Sequence, residues 1–250
     1  MKRIISIMAL MLMMTGWLSA AQAWKNETLK YALYMGPIKA GEASFITKNT
    51  VFEGQNVVRM DLIARTTSAA EKLFSMNDTL TTYLDTKNVR PVYFRKHCYE
   101  GDDTYEEYAR FTYSSDGTCK AQMRKNYKNG RVKEKSVTSS TAVFDMVSVM
   151  GYARAMNMSG MQEGKHIDFR LVDAAEILDE CLIYEGRETV KLSGKKYNCL
   201  IFKLVEPYLE KGKMKSKDIL TIYVTDDESR KIVQMEIKFK VGTAKAKLMP

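Results

Sequence analysis

The chain has 250 residues and a formal net charge of +9, with 39 Lys and Arg against 30 Asp and Glu. That length suits one large β domain or two small ones, with enough core to fold without covalent staples. No run beyond the first 23 residues approaches the roughly 18 apolar residues of a membrane-spanning helix, and the charge favours anionic partners: lipid head groups, acidic glycans or acidic proteins.

Lys2 and Arg3 precede an apolar run over 4–18, and Ala21-Gln22-Ala23 supplies small residues at the two positions a signal peptidase reads. Residues 1–23 are therefore expected to be a cleaved signal peptide, followed by a single β-rich domain over 24–250. With no cysteine near the cleavage site, a lipoprotein anchor is not expected. The expected location is periplasmic or secreted, where nucleic acid is a poor candidate partner.

The first pair of predicted strands, 27–34 and 41–48, is joined at Gly36-Pro37. Gly41 inside a strand marks a bulge, a bend or a close backbone approach. With Ala40, Ala43 and Ser44 around it, the sheet can coil tightly there or leave room for something against its face. Val58, Met60, Leu62 and Ala64 continue with period two, and 69–76 is a candidate short helix. Gly101-Asp102, Asp116-Gly117 and Asn129-Gly130 then separate strands near 104–113, 119–127 and 131–137.

Val143, Met146, Val147, Met150 and Ala153 recur at helical spacing, which predicts a helix over about 142–157 capped by Ser140 or Thr141. Strands resume around Ile167, Phe169 and Leu171 and around Leu220, Ile222 and Val224. The cleanest alternation is Val233, Met235, Ile237, Phe239 and Val241, which places Ile237 and Phe239 in the core. The fold class expected is mainly β: an antiparallel meander forming a strongly curved sheet or incomplete barrel, with the one amphipathic helix covering it.

Three stretches, "YALYMGPIKAGEASF", "FDMVSVMGYARAM" and "GRETVKLSGKKYNCLIF", followed by "LTIYVTDDESRKIVQMEIKFKVGTAKAKL", carry a resemblance. In order and spacing the chain resembles the bacterial exported domain-of-unknown-function family number 3108 over nearly all of its length after the leader. The resemblance implies a β-rich envelope protein with a curved sheet or incomplete barrel, and no assigned activity. It also marks Gly36, Gly41, Asp145, Ser148, Arg154, Asp226 and Asp227 as family positions. Asp145 and Arg154 are nine residues apart, on opposite sides of a helix, so each is expected to anchor it to a different part of the sheet.

Catalytic and metal signatures are sparse. His97 and His166 have no second histidine at metal spacing, and no serine elbow, phosphate loop or HExxH is present. Neither an enzyme nor a cofactor or metal is expected. The four cysteines, Cys98, Cys119, Cys181 and Cys199, invite disulfides in an exported chain. Local pairs are disfavoured, because Cys98 and Cys119 fall about eight residues, roughly 26 Å, apart along an intervening strand. Cys181 and Cys199 are read as flanking another such strand. Buried thiols or long-range bridges remain open.

Met146, Met150, Met156, Met158 and Met161 cluster on and after the predicted helix, where methionine can fill an irregular core or offer a pliable apolar surface. Gly41, Met146, Met150, Tyr152 and Met156 are the candidate contacts for an apolar or amphipathic, lipid-like ligand. Lys211, Lys213, Lys215 and Lys217 alternate strictly and are the candidate basic face for binding an anionic surface, head groups or acidic glycan. Two functions are expected from these patterns. The leading one is a non-enzymatic envelope binder or carrier of a lipid-like ligand. The other is an envelope interaction or assembly protein that meets a protein partner through sheet edges and a basic surface, without a cavity.

Overall fold

Alternating burial along β7 (Cys119–Tyr127) shows how the sheet is built. Cys119, Ala121, Met123 and Lys125 point inward, while Lys120, Gln122 and Arg124 face solvent. The structure, a computed structural model, describes residues 24–71, 75–100, 103–211, 213–239 and 242–250. The signal-peptide expectation for 1–23 and the Gly101-Asp102 turn lie outside these residues, as do 72–74 of the candidate helix at 69–76; the part described there is a turn.

Six strands precede β7: β1 (Glu27–Met35), β2 (Ile38–Phe52), β3 (Gln55–Thr66), β4 (Asn77–Asp85), β5 (Arg90–Glu100) and β6 (Asp103–Tyr113). After it come β8 (Val132–Ser139), β9 (Val143–Asp145) and the helix α1 (Met146–Ala155). Then follow β10 (Lys165–Asp173), β11 (Glu176–Leu192), β12 (Lys195–Glu210), β13 (Lys213–Thr225), β14 (Ile232–Phe239) and β15 (Gly242–Leu248).

Among the described residues, all fifteen strands form one sheet in the order β8-β7-β6-β5-β4-β3-β2-β1-β15-β14-β13-β12-β11-β10-β9. Every neighbouring pair is antiparallel except β9 with β10. The chain thus winds one way from β1 to β8 and returns from β15 to β9, a nearly closed, barrel-like sheet whose two free edges are β8 and β9. At the seam, Lys133 and Lys135 of β8 converge on Glu176 at the start of β11, and Lys133 Nζ donates to the Ala174 carbonyl at 3.2 Å. Side chains there replace a ladder.

The meander gives the barrel two distinct ends. The upper rim holds the β1–β2 turn at Gly36-Pro37 and the β3–β4, β7–β8, β10–β11 and β12–β13 connections. The lower rim holds the β2–β3, β4–β5, β6–β7, β11–β12 and β13–β14 turns. Helix α1 starts toward the upper rim and runs down the lumen. Val147, Ser148, Val149, Met150, Gly151, Ala153 and Arg154 are all buried, so it is enclosed on most sides.

The helix is shorter than the spacing predicts. Val143–Asp145 pairs with Arg170–Val172 as a strand, and the cap is Asp145, not Ser140 or Thr141. The second strand is also longer than expected, opening at Ile38 and running to Phe52.

The final strand is corrected in a more telling way. The β13–β14 register shifts between Tyr223 and Val224, leaving Val233 as the extra residue of a bulge. Ile232 and Met235 therefore join the main core, whereas Val233 packs on the outer side with Val190, Leu192 and Ile201. Period-two reading puts Val233 and Met235 on one face; the bulge puts them on two. Ile237, expected in the core, is 42% exposed, and the Phe239 side chain lies outside the described residues.

Candidate functional site

Gly41 lies where β2 comes closest to β3. A Cβ there would stand 2.5 Å from the Arg65 carbonyl oxygen and 3.2 Å from Leu33 Cδ1, so only glycine permits the approach. Opposite it, the β1–β2 register shifts between Leu33 and Tyr34, with Ala40 as the extra residue. A bulge increases local twist, and the wall curls inward at this corner. Ala43, Ala64, Ala244 and Ala246 then leave the lumen underfilled beside α1.

The result is an apolar cavity of about 240 Å³ under the upper rim. Its walls come from β1, β2, β3, β13, β14 and β15, and Met146 and Met150 of α1 form its inner side. Leu62, Leu220 and Met235 line its depth, while Met35, 43% exposed, and Ile237 stand at its mouth. Gly41, Met146 and Met150 therefore meet in one place, as grouped from sequence.

Tyr152 and Met156 do not join them. They line a separate shallow cleft of about 350 Å³ with Val89, Ala155, Met161 and Ile167, at the other end of the helix. Ten residues of helix separate Met146 from Met156, and a rise of 1.5 Å per residue puts them about 15 Å apart. A cluster that is compact in sequence is thereby divided between two ends of the lumen.

The family positions hold this frame. Asp145 is fully buried; one carboxylate oxygen accepts from the Val147 and Ser148 N–H groups at 2.9 Å, and the other from the Thr82 hydroxyl at 2.8 Å. Ser148 Oγ accepts the Asp145 N–H at 2.8 Å, closing a capping box. Burial pushes the Asp145 carboxyl up to about 6 despite these donors. At the other end, Arg154 donates to the Arg230 carbonyl at 2.8 Å, to Thr47 Oγ1 at 3.3 Å and to Glu27. Each charge does anchor the helix to a different part of the sheet. Asp226 takes Arg187 at 2.7 Å, and Asp227 takes Ser229 and Thr225, which fixes the β13–β14 turn. Gly36, at φ +58°, makes the β1–β2 turn.

Sequence reading missed a buried acidic group. Glu180 is 2% exposed, and neither carboxylate oxygen has a hydrogen-bond partner among the described residues. It pairs in register with Phe169 of the core, so it faces the lumen. Burial, then the charges of Glu206, Asp173 and Asp179, push it up to about 8, with Lys217 opposing. On β6, Glu107 is also buried, 3.6 Å from Lys125 Nζ, and is raised by burial and by Asp173. No motif marks Glu180, because a lone Glu in an alternating strand reads as the wet face.

The lysine row reads differently in place. Lys213, Lys215 and Lys217 share one face of β13, with Lys211 in the preceding turn, but Lys215 pairs with Glu210 and Lys217 with Glu206 at 3.6 Å. His97 Nδ1 lies 2.9 Å from Glu106, and His166 Nδ1 lies 3.5 Å from Cys181 Sγ. Neither histidine lines a described cavity. All four cysteines are buried thiols. Cys98 and Cys119 face Tyr105 and Tyr113 across β6, the eight-residue separation expected. Cys181 and Cys199 sit on the adjacent strands β11 and β12 rather than around an intervening one; Cys181 faces Val205, six positions from Cys199, which still keeps them apart. Burial pushes both thiols up to about 11, away from the reactive thiolate.

Comparison with known proteins agrees with the fold. A search of curated proteins finds no match. Among solved structures, the chain is similar to a beta-barrel-like protein of the domain of unknown function DUF1849 from Brucella abortus. The two align with a TM-score of 0.52 at 12% identity, over 89% of this chain and 95% of that one. No helix among the described residues is long and apolar enough to cross a membrane. The family model described as "Protein of unknown function (DUF3108)" matches residues 30–249, and the chain belongs to that family.

Proposed function

We propose that this protein is a non-enzymatic binder of a lipid-like ligand, exported to the cell envelope, which takes one alkyl chain into the cavity between Gly41 and the Met146–Met150 face of α1. The observation that carries this reading is the cavity itself: about 240 Å³, walled by carbon and sulfur, and open at a rim with Met35 and Ile237 exposed. Apolar cavities of this kind stay dry and gain by accepting apolar matter. The volume is below the roughly 300 Å³ at which drug-sized pockets begin, which favours a single flexible chain over a bulky ring system. Methionines at the inner wall can re-pack around chains of differing shape.

The underfilled core at this corner supports the carrier over an assembly protein that acts through its surface alone. The buried thiols and the positions of His97 and His166, away from the cavity, support the non-enzymatic reading. Titration with a fluorescent fatty acid tests it. Saturable binding at one site is expected for the native chain. Ala64→Phe, which fills the cavity, is expected to weaken it at least about tenfold with the melting temperature kept, since an apolar pocket filled by a side chain has no room for the ligand. No binding by the native chain, or equal binding by the filled variant, would overturn the proposal.

A further inference from the structure

At the upper end β12 and β13 part from the strands beside them, while β11 runs on through Glu176–Glu180 paired with β10. Pairing of β11 with β12 ends at Cys181–Val205, and pairing of β13 with β14 begins at Leu220–Ile237. Glu206–Glu210 and Lys213–Lys217 pair only with each other. Five residues of extended chain make a two-stranded ribbon that runs about 16 Å beyond those last pairings. Leu209 and Met214 face each other near its tip, 72% and 66% exposed, and Tyr208 is exposed beside them.

This is one instance of a wider segregation. Met35, Ile38 and Ile237 are exposed around the cavity mouth, and Tyr99 and Val132 are exposed on the upper ends of β5 and β8. Among the described residues, Val51 is the one large apolar side chain exposed at the lower rim. Charge follows the same axis. Among the described residues, the upper connections carry Lys128, Arg131 and Lys211 against Glu71, and the ribbon strands are balanced, with Lys213, Lys215 and Lys217 against Glu206, Glu210 and Asp218. The lower connections carry Glu53, Asp116, Glu163, Asp226, Asp227 and Glu228 against Lys87, Arg230 and Lys231.

We infer that the upper rim docks on an anionic lipid bilayer, with the ribbon tip and the cavity mouth entering the interface. A protein that spreads isolated apolar side chains around one end, mixed with basic ones, matches the head-group boundary, where the apolar tips are buried and lysines meet lipid phosphate. An acidic protein partner would satisfy the charge but would want one contiguous apolar patch, whereas these residues ring the rim. The inference rests on the carrier reading, because the docked face is the one through which the cavity opens and a chain could pass without crossing water.

Co-sedimentation with vesicles tests it on the full mature chain. Binding to vesicles of phosphatidylethanolamine with phosphatidylglycerol is expected, weaker at high salt and weaker again on phosphatidylcholine alone. The double variant Leu209→Glu, Met214→Glu should lose about tenfold or more in partitioning, and Val51→Glu at the opposite rim should change nothing. No binding to anionic vesicles, or equal loss with Val51→Glu, overturns the docking face. Fatty-acid titration of the same variants keeps the two claims apart. Normal uptake by a protein that ignores vesicles sinks the docking alone, and vesicle binding without uptake sinks the carrier reading alone.

Discussion

The two ends of this barrel are made by the same meander and obey opposite rules. At the lower end, beside the shallow Tyr152–Met156 cleft, polar groups tie the helix down: Arg154 reaches Glu27, Thr47 and the Arg230 carbonyl, and Asp226 and Asp227 lock the turn beneath it. At the upper end the lumen is lined with alanine and glycine, the helix presents two methionines, and apolar side chains stand in solvent. One end is stabilised by polar satisfaction and the other is left underpacked.

If that division is right, the largest effect of mutation belongs to the tied end. Arg154→Met removes one partner of a buried charge pair and strands Glu27, which should cost about 3–5 kcal/mol in chemical denaturation. A loss under about 1 kcal/mol would mean that the helix is held by its apolar contacts alone.

Gly41→Ala comes next and sharpens the account of the open corner. Its Cβ would meet backbone, which cannot step aside, so a loss of about 1–3 kcal/mol is expected. Gly151→Ala meets only the Met60 terminus, at 2.6 Å to Cε, and should cost less because that side chain can swing. Equal losses at the two positions would show that the β2–β3 approach is not the constraint.

Glu180 gives a pH signature rather than a single number. Its folded value near 8 lies above the ordinary 4.5 or so, so the native state binds more protons across that interval. The stability it contributes is full below about pH 4.5 and is lost as pH rises through 8. Glu180→Gln should therefore raise the melting temperature at pH 9, by an amount corresponding to roughly 1–3 kcal/mol, and flatten the slope between pH 5 and 8. A slope of opposite sign in the native protein would mean that Glu180 is paired.

The smallest effect belongs at the mouth. Ile237→Asp, on a residue 42% exposed, should cost about 1 kcal/mol or less while weakening fatty-acid binding. A loss of several kcal/mol would return Ile237 to a closed core and remove the opening.

Much of this frame is legible in the residues. Turn dipeptides such as Asp116-Gly117 and Asn129-Gly130 mark their hairpins, and Gly41 announces a bulge, a bend or a close approach. The helix was readable as a segment but not in its bounds, because Val143 and Phe144 are as comfortable in a strand as in a helix and a distant strand, β10, decided between them. The bulge at Val233 was invisible, since an extra residue leaves the sequence alternation intact and changes only which face it addresses. For the site, Met146 and Met150 could be grouped with Gly41 by chemistry, whereas separating Met156 required knowing that the helix runs along the lumen. Glu180 left no trace, because burial of a charge is a property of neighbours.

The central claim, an alkyl chain held between Gly41 and Met146–Met150, is tested most directly by native mass spectrometry of protein purified without detergent from the cells that make it. The account predicts one lipid-like molecule per chain, removable by organic extraction and missing from Ala64→Phe. A native chain that carries no such molecule, and takes none up after extraction and exposure to envelope lipid, would contradict it.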